Sequence, residues 1–113
     1  MESLFTVDAG GPMERLFALW QDVMDKPRAK FDMKRQQRLR WALLNYSEEE
    51  CEYAIRGCAM SDFHMGRNSR GKTYNDLTLI FRDAEHVEDF IDTYLKAATA
   101  KQELDEWLED QDW

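Results

Sequence analysis

The sequence predicts an all-α fold: a small bundle of four to five helices with one long loop at about residues 61–74. Three observations predict it. Apolar residues recur at helical spacing in four separate windows, beginning at Leu16, Leu39, Cys51 and Val87. Helix starts are marked chemically, by Pro12, Asp32, the Ser47–Glu50 pair and Asp83. Breakers are few, with two Pro and five Gly in 113 residues.

Taken in order, residues 1–11 read as an N-terminal arm ending in Gly10-Gly11. Pro12 suits a first helical turn, where its missing N–H costs nothing. Leu16, Phe17, Leu19, Trp20, Val23 and Met24 then set a first helix near 12–25. Lys26-Pro27 should end it, because the residue before proline is pushed out of the α region. Asp32 is the expected N-cap of a second helix to about Asn45, with Leu39, Ala42, Leu43 and Tyr46 on one side and Trp41 at the margin. Ser47 with Glu50 three residues on makes a capping box. It opens a third helix to about Met60, whose stripe is Cys51, Ala54, Ile55 and Cys58.

The stretch from Ser61 to Tyr74 shows no periodicity. Loops of that length inside a compact domain are uncommon and often functional. Leu77 to Phe81 is a short apolar run that periodicity alone leaves as strand or helix. Asp83 caps a last helix carrying Val87, Phe90, Ile91, Tyr94 and Leu95, with Leu104, Trp107 and Leu108 extending the period into the C-terminus. The expected organisation is an arm over 1–11, a helical domain over 12–97, and an acidic helix or tail over 98–113. One core should contain Leu16, Trp20, Leu39, Leu43, Ile55, Leu77, Ile80, Val87, Phe90 and Ile91.

The formal charge is −8, from 15 Lys+Arg against 23 Asp+Glu. That balance disfavours a simple DNA-coating protein. The charge is polarised, however. Lys26 to Arg40 carries seven bases and one acid, and Asp83 to Trp113 carries eleven acids and two bases. No apolar run reaches the about 18 residues of a membrane span. Met1 to Gly11 lacks a signal-peptide pattern. A cytoplasmic protein is therefore expected, with no membrane partner. Cys51 and Cys58 fit it as reduced thiols. Seven residues apart on a helix, they lie roughly 10 Å from each other, too far for a disulfide. Their spacing with His64 and His86 fits no usual zinc pattern, so no metal is expected.

Enzyme chemistry has little to stand on. His64, between Asp62 and Arg67, suggests acid–base work, but a lone loop histidine is more often a surface residue. Gly66 to Gly71 has the outline of a phosphate loop and lacks the Gly-Lys-Ser/Thr ending at the required spacing. No catalytic residue, cofactor or metal is assigned. Two binding surfaces are. Lys30, Lys34, Arg35 and Arg38, with Arg67, Arg70 and Lys72, would form one weak, sequence-independent contact for a nucleic-acid backbone, or else for an acidic protein. Leu104, Trp107 and Leu108 share a helical face among acids, joined by Trp113 in the tail. That face either folds back on the domain or docks in a groove of a partner or of a second copy, giving a homodimer.

The sequence also resembles a known family. Trp20-Gln-Asp-Val-Met24 followed by Lys26-Pro-Arg-Ala-Lys30 is similar to the opening of a domain found at the C-terminus of many phage replication proteins. So are Ala54-Ile-Arg-Gly-Cys58, Ser61-Asp-Phe-His-Met-Gly-Arg-Asn68, Gly71-Lys-Thr-Tyr-Asn-Asp-Leu77, and Leu79-Ile-Phe-Arg-Asp83 through Val87-Glu-Asp-Phe-Ile91. The resemblance spans about residues 16–92 and extends to the DnaD-type primosomal module. It implies a phage or prophage replication protein, or replisome organiser, involved in helicase loading, that binds the host replicative helicase, DNA, or both. Tyr74 and the segment to Ile80 would take part in that contact. Such proteins usually carry a winged-helix domain ahead of this module, and here too few residues precede it. The competing expectation is a small acidic phage adaptor or inhibitor, such as an anti-defence protein or nucleic-acid mimic, acting on another host or phage protein.

Overall fold

A computed structural model describes residues 10–110; the 1–9 part of the N-terminal arm, and Trp113, lie outside the described residues. The described residues form five helices: α1 Pro12–Val23, α2 Met33–Asn45, α3 Glu48–Ala59, α4 Leu77–Ile80 and α5 Ala84–Asp110. No strand occurs among the described residues, and none of their helices is long and apolar enough to cross a membrane.

Local chemistry explains most of the helix starts. Pro12 opens α1. The Asp32 carboxylate accepts the Arg35 backbone N–H at 3.0 Å and caps α2. The capping box of α3 is complete: Ser47 Oγ accepts the Glu50 N–H, and the Glu50 carboxylate accepts the Ser47 N–H. Asp83 accepts the His86 N–H at 2.9 Å and caps α5. The ambiguous segment after Asn75 is the single helical turn α4. Asp76 caps it, accepting from the Thr78 amide and hydroxyl, which local periodicity could not reveal.

The end of α1 differs from the expectation. The helix stops at Val23, before the Lys26-Pro27 pair can act. Asp25 takes a left-handed conformation (φ 55°), the Lys26 N–H reaches the Gln21 carbonyl, and the Asp25 N–H reaches Asp22. This is a Schellman stop, which satisfies the last carbonyls of the helix. The connector beyond it is tied to α1 by the Gln21 side-chain amide, which donates to the carbonyls of Lys26, Pro27 and Ala29. Phe31 stacks on Phe17 at 4.6 Å.

Helices α1 to α4 and the first half of α5 enclose one core. Leu16, Trp20, Leu39, Cys51, Ala54, Ile55, Cys58, Leu77, Ile80, Phe81 and Val87 are essentially inaccessible, with Phe90 and Ile91 at the edge. Leu43, expected in this core, is half-buried and packs on its outside. The most extensive helix contact is α3 against α5. It is made possible by Gly57, whose missing side chain lets the Phe90 backbone approach. Tyr53 and Tyr94 stack at 4.8 Å at the last point where α5 touches the body. Beyond that stack every described side chain of α5 is exposed. The 27 residues of α5 span about 40 Å, so much of the helix stands clear of the bundle.

Candidate functional site

The seven predicted cations do not share one role. Arg35 points inward: its Nη2 donates to Asp76 Oδ1 at 2.7 Å and its Nη1 to the Lys30 carbonyl, and its guanidinium lies 5.0 Å from the Trp20 ring. Its side chain is only 19% exposed. Arg38 stacks at 5.7 Å on Trp41 and donates to the Arg82 carbonyl. Arg67 pairs with Asp62 at 2.7 Å. Lys72 lies over the Tyr74 ring at 5.5 Å. Lys30, Lys34 and Arg70 are exposed and make no side-chain ion pair among the described residues. Arg35 therefore serves the fold, tying α2 to the cap of α4.

The Arg35–Asp76 pair makes stability depend on acid. Burial pushes the Asp76 carboxyl up, but hydrogen bonds from Arg35 and from the Thr78 hydroxyl and amide outweigh it, so its pKa falls below the ordinary 3.8. A carboxyl that stays ionised to lower pH in the folded chain contributes stability fully above the unfolded value and loses it as pH drops through the folded one. Asp76→Asn is expected to flatten the decline of the urea midpoint below about pH 5. An unaltered acid slope would show that the pair contributes nothing.

The stretch from Ser61 to Tyr74 lacks regular structure but is compact. Asn68 organises it: its side-chain amide donates to the Phe63 and Lys72 carbonyls, both at 2.7 Å, and its oxygen accepts from the Arg70 and Lys72 amides. Met65 and Thr73 pair as an isolated antiparallel bridge, and Gly66 turns the chain at φ 96°. At the base of the loop, the Trp20 indole N–H donates to the Asn75 carbonyl at 2.9 Å, fully buried. The Asn75 side-chain nitrogen meets the sulfurs of Met24 and Met65, and its oxygen is buried without a partner among the described residues.

This ordered loop closes a cavity of about 160 Å³ against α4 and the start of α5, lined by Phe63, His64, Tyr74, Leu79, Arg82 and His86. The Phe63 and Tyr74 rings stack in parallel at 5.3 Å. His64 stands edge-on to Phe63 and Phe90. Its Nδ1 bonds Ser61 Oγ at 2.7 Å, and burial together with the facing His86 holds its pKa below the usual 6.5, so it is neutral at pH 7. His86 uses Nδ1 for Asp83 Oδ1 at 2.7 Å. Of the predicted site residues only Tyr74 lies here. Phe63, Leu79, Arg82 and His86 were not assigned to a site by helical spacing, and His64 was weighed for acid–base work and set aside; the length of the loop was the indication that pointed to this region. His64, expected at the surface, is half-buried in the wall of this cavity.

The tail carries the other predicted set. Leu104, Trp107 and Leu108 are 55%, 57% and 53% exposed, so the stripe does not cap its own core. With Tyr94 and Ala97 they continue one face of α5. The exposed acids Glu103, Asp105, Glu106 and Glu109 surround it.

Cys51 and Cys58 are buried and unpaired, and burial pushes both thiols up to about 12. Such thiols are poor nucleophiles and poor metal ligands at neutral pH. No group of three metal-ligating side chains occurs among the described residues. Comparison of the chain with protein-family models, with curated proteins and with solved structures finds no match.

Proposed function

We propose that this chain is a protein-binding module with no chemistry of its own, and that the projecting half of α5 is its docking element. The observation that carries this reading is the stripe Leu104, Trp107 and Leu108, more than half exposed on a helix that has left the body. Amphipathic helices with anchors at i, i+3 and i+4 dock in apolar grooves, and Trp is a frequent hot spot there. The surrounding carboxylates favour a groove rimmed by bases and would speed the encounter. The resemblance to phage replication proteins is what supports taking the host replicative helicase as that partner. Lys30, Lys34, Arg70 and Lys72 remain as exposed cations for DNA phosphates, a contact that would be weak and steeply salt-dependent.

The test pairs the intact chain with a Trp107→Ala, Leu108→Ala double variant. Both side chains are exposed, so unfolding should change by no more than about 0.5 kcal/mol. Binding to purified bacterial replicative helicase should weaken by about 2 kcal/mol or more, roughly 30-fold. Equal retention of both chains would remove α5 as the docking element. No binding by the intact chain would remove the helicase and leave the adaptor or inhibitor reading, directed at another protein.

A further inference from the structure

The cavity beneath the Ser61–Tyr74 loop combines features that the docking of α5 does not use. Its apolar lining is the stacked Phe63 and Tyr74 pair together with Leu79 from α4. Its donors toward a ligand are the Arg82 guanidinium and, with the Ser61 hydroxyl donating to Nδ1, the Nε2–H of His64; His86 donates Nδ1–H to the Asp83 carboxylate, which leaves Nε2 of its neutral ring an acceptor. His64 and His86 have each committed Nδ1, to Ser61 and Asp83, and neither Nε2 has a hydrogen-bond partner among the described residues. The Arg82 guanidinium makes no hydrogen bond among them either; its nearest acid is Asp83 Oδ2 at 3.7 Å. Yet the backbone of Arg82 is held, because Arg38 caps its carbonyl at 2.5 Å.

We propose that this cavity binds a small aromatic carboxylate, its ring against the apolar lining of Phe63, Tyr74 and Leu79 and its carboxylate between Arg82 and the Nε2–H of His64, with His86 lining the same site. Size limits the ligand. A cavity of about 160 Å³ falls well below the 300–1,000 Å³ of drug-sized sites, so it holds about one ring and not a nucleotide. Charge sets the class. One guanidinium tempered by Asp83 matches a monoanion, and its planar fork fits a carboxylate two-pronged. A dianion such as phosphate would find too little positive charge. A metal cation is disfavoured by the guanidinium and by the presence of only two imidazoles in the lining.

The experiment titrates the full chain with benzoate and follows the ring-proton resonances of His64 and His86. Benzyl alcohol serves as the neutral probe of similar shape and inorganic phosphate as the anion without a ring. Saturable shifts of both histidines by benzoate are expected, with each control at least about tenfold weaker, as loss of a charge-assisted contact or of ring burial requires. Arg82→Gln should weaken benzoate about tenfold or more while leaving the response to benzyl alcohol unchanged. Phe63→Ala, at an exposed position, should weaken both benzoate and benzyl alcohol. Equal binding of phosphate and benzoate would overturn the proposal in favour of a bare anion surface. Equal binding of benzyl alcohol would reduce the cavity to an apolar cleft. Absence of any saturable shift, or a benzoate affinity untouched by Arg82→Gln, would overturn it outright.

Discussion

Gly57→Ala is expected to unfold the protein or to cost it most of its stability. A Cβ at this position would lie 1.9 Å from the Phe90 carbonyl oxygen and 2.7 Å from the Phe90 carbonyl carbon. Real Cβ atoms do not approach backbone that closely, and neither atom belongs to a side chain that can rotate away. Helix α5 would have to lift off α3. Lifting it exposes Val87, Phe90 and Ile91 and opens the core over Ile55 and Cys58. Overpacking typically costs about 1–3 kcal/mol when side chains can yield. Here two helix backbones collide, so the cost should reach or exceed that upper limit, against a total stability of about 5–15 kcal/mol. Urea unfolding followed by circular dichroism checks it. A variant within about 1 kcal/mol of the parent would mean that the two helices are not in the contact described.

Trp20→Ala is expected to cost about 3–5 kcal/mol, the range for deleting a buried large aromatic side chain. Trp20 is fully inaccessible, packs beside Phe17, and lies beneath the Arg35 guanidinium. It also donates its indole N–H to the Asn75 carbonyl, linking α1 to the base of the loop. Trp20→Phe separates the two contributions. It keeps most of the apolar volume and leaves the buried carbonyl without its donor, which should cost about 1–3 kcal/mol. If the phenylalanine variant matches the parent in stability, the indole hydrogen bond contributes nothing net. Both variants should also broaden the His64 and Tyr74 resonances, because the loop that positions those rings is anchored at Asn75.

Much of this protein is written locally. The Ser47–Glu50 box, the Asp32 and Asp83 caps and the stripes of α1, α2, α3 and α5 all depend on residues within four positions of each other. Such signals survive without knowledge of the fold. The tail stripe was legible for the same reason, since Leu104, Trp107 and Leu108 share a face whatever they touch. Whether that face was buried was not legible: periodicity says which residues align, not what lies opposite. The −9 stretch and the +6 stretch were equally plain as charge, but not as geometry.

Local pattern by itself determined the all-α class, the order and approximate limits of the long helices, and the polarity of the chain's two ends. Tertiary structure alone decided the rest. Arg35 reads as one cation in a basic run, yet it turns inward because Asp76, 41 residues away, offers a carboxylate beside the Trp20 ring. Gly57 reads as an ordinary helix position until Phe90 is seen against it. Phe63, His64, Tyr74, Leu79, Arg82 and His86 become one cavity only when the loop, α4 and α5 are brought together. Spacing along a helix fixes direction about its own axis, whereas a site made by three elements depends on contacts between residues far apart in the chain, which no local period encodes.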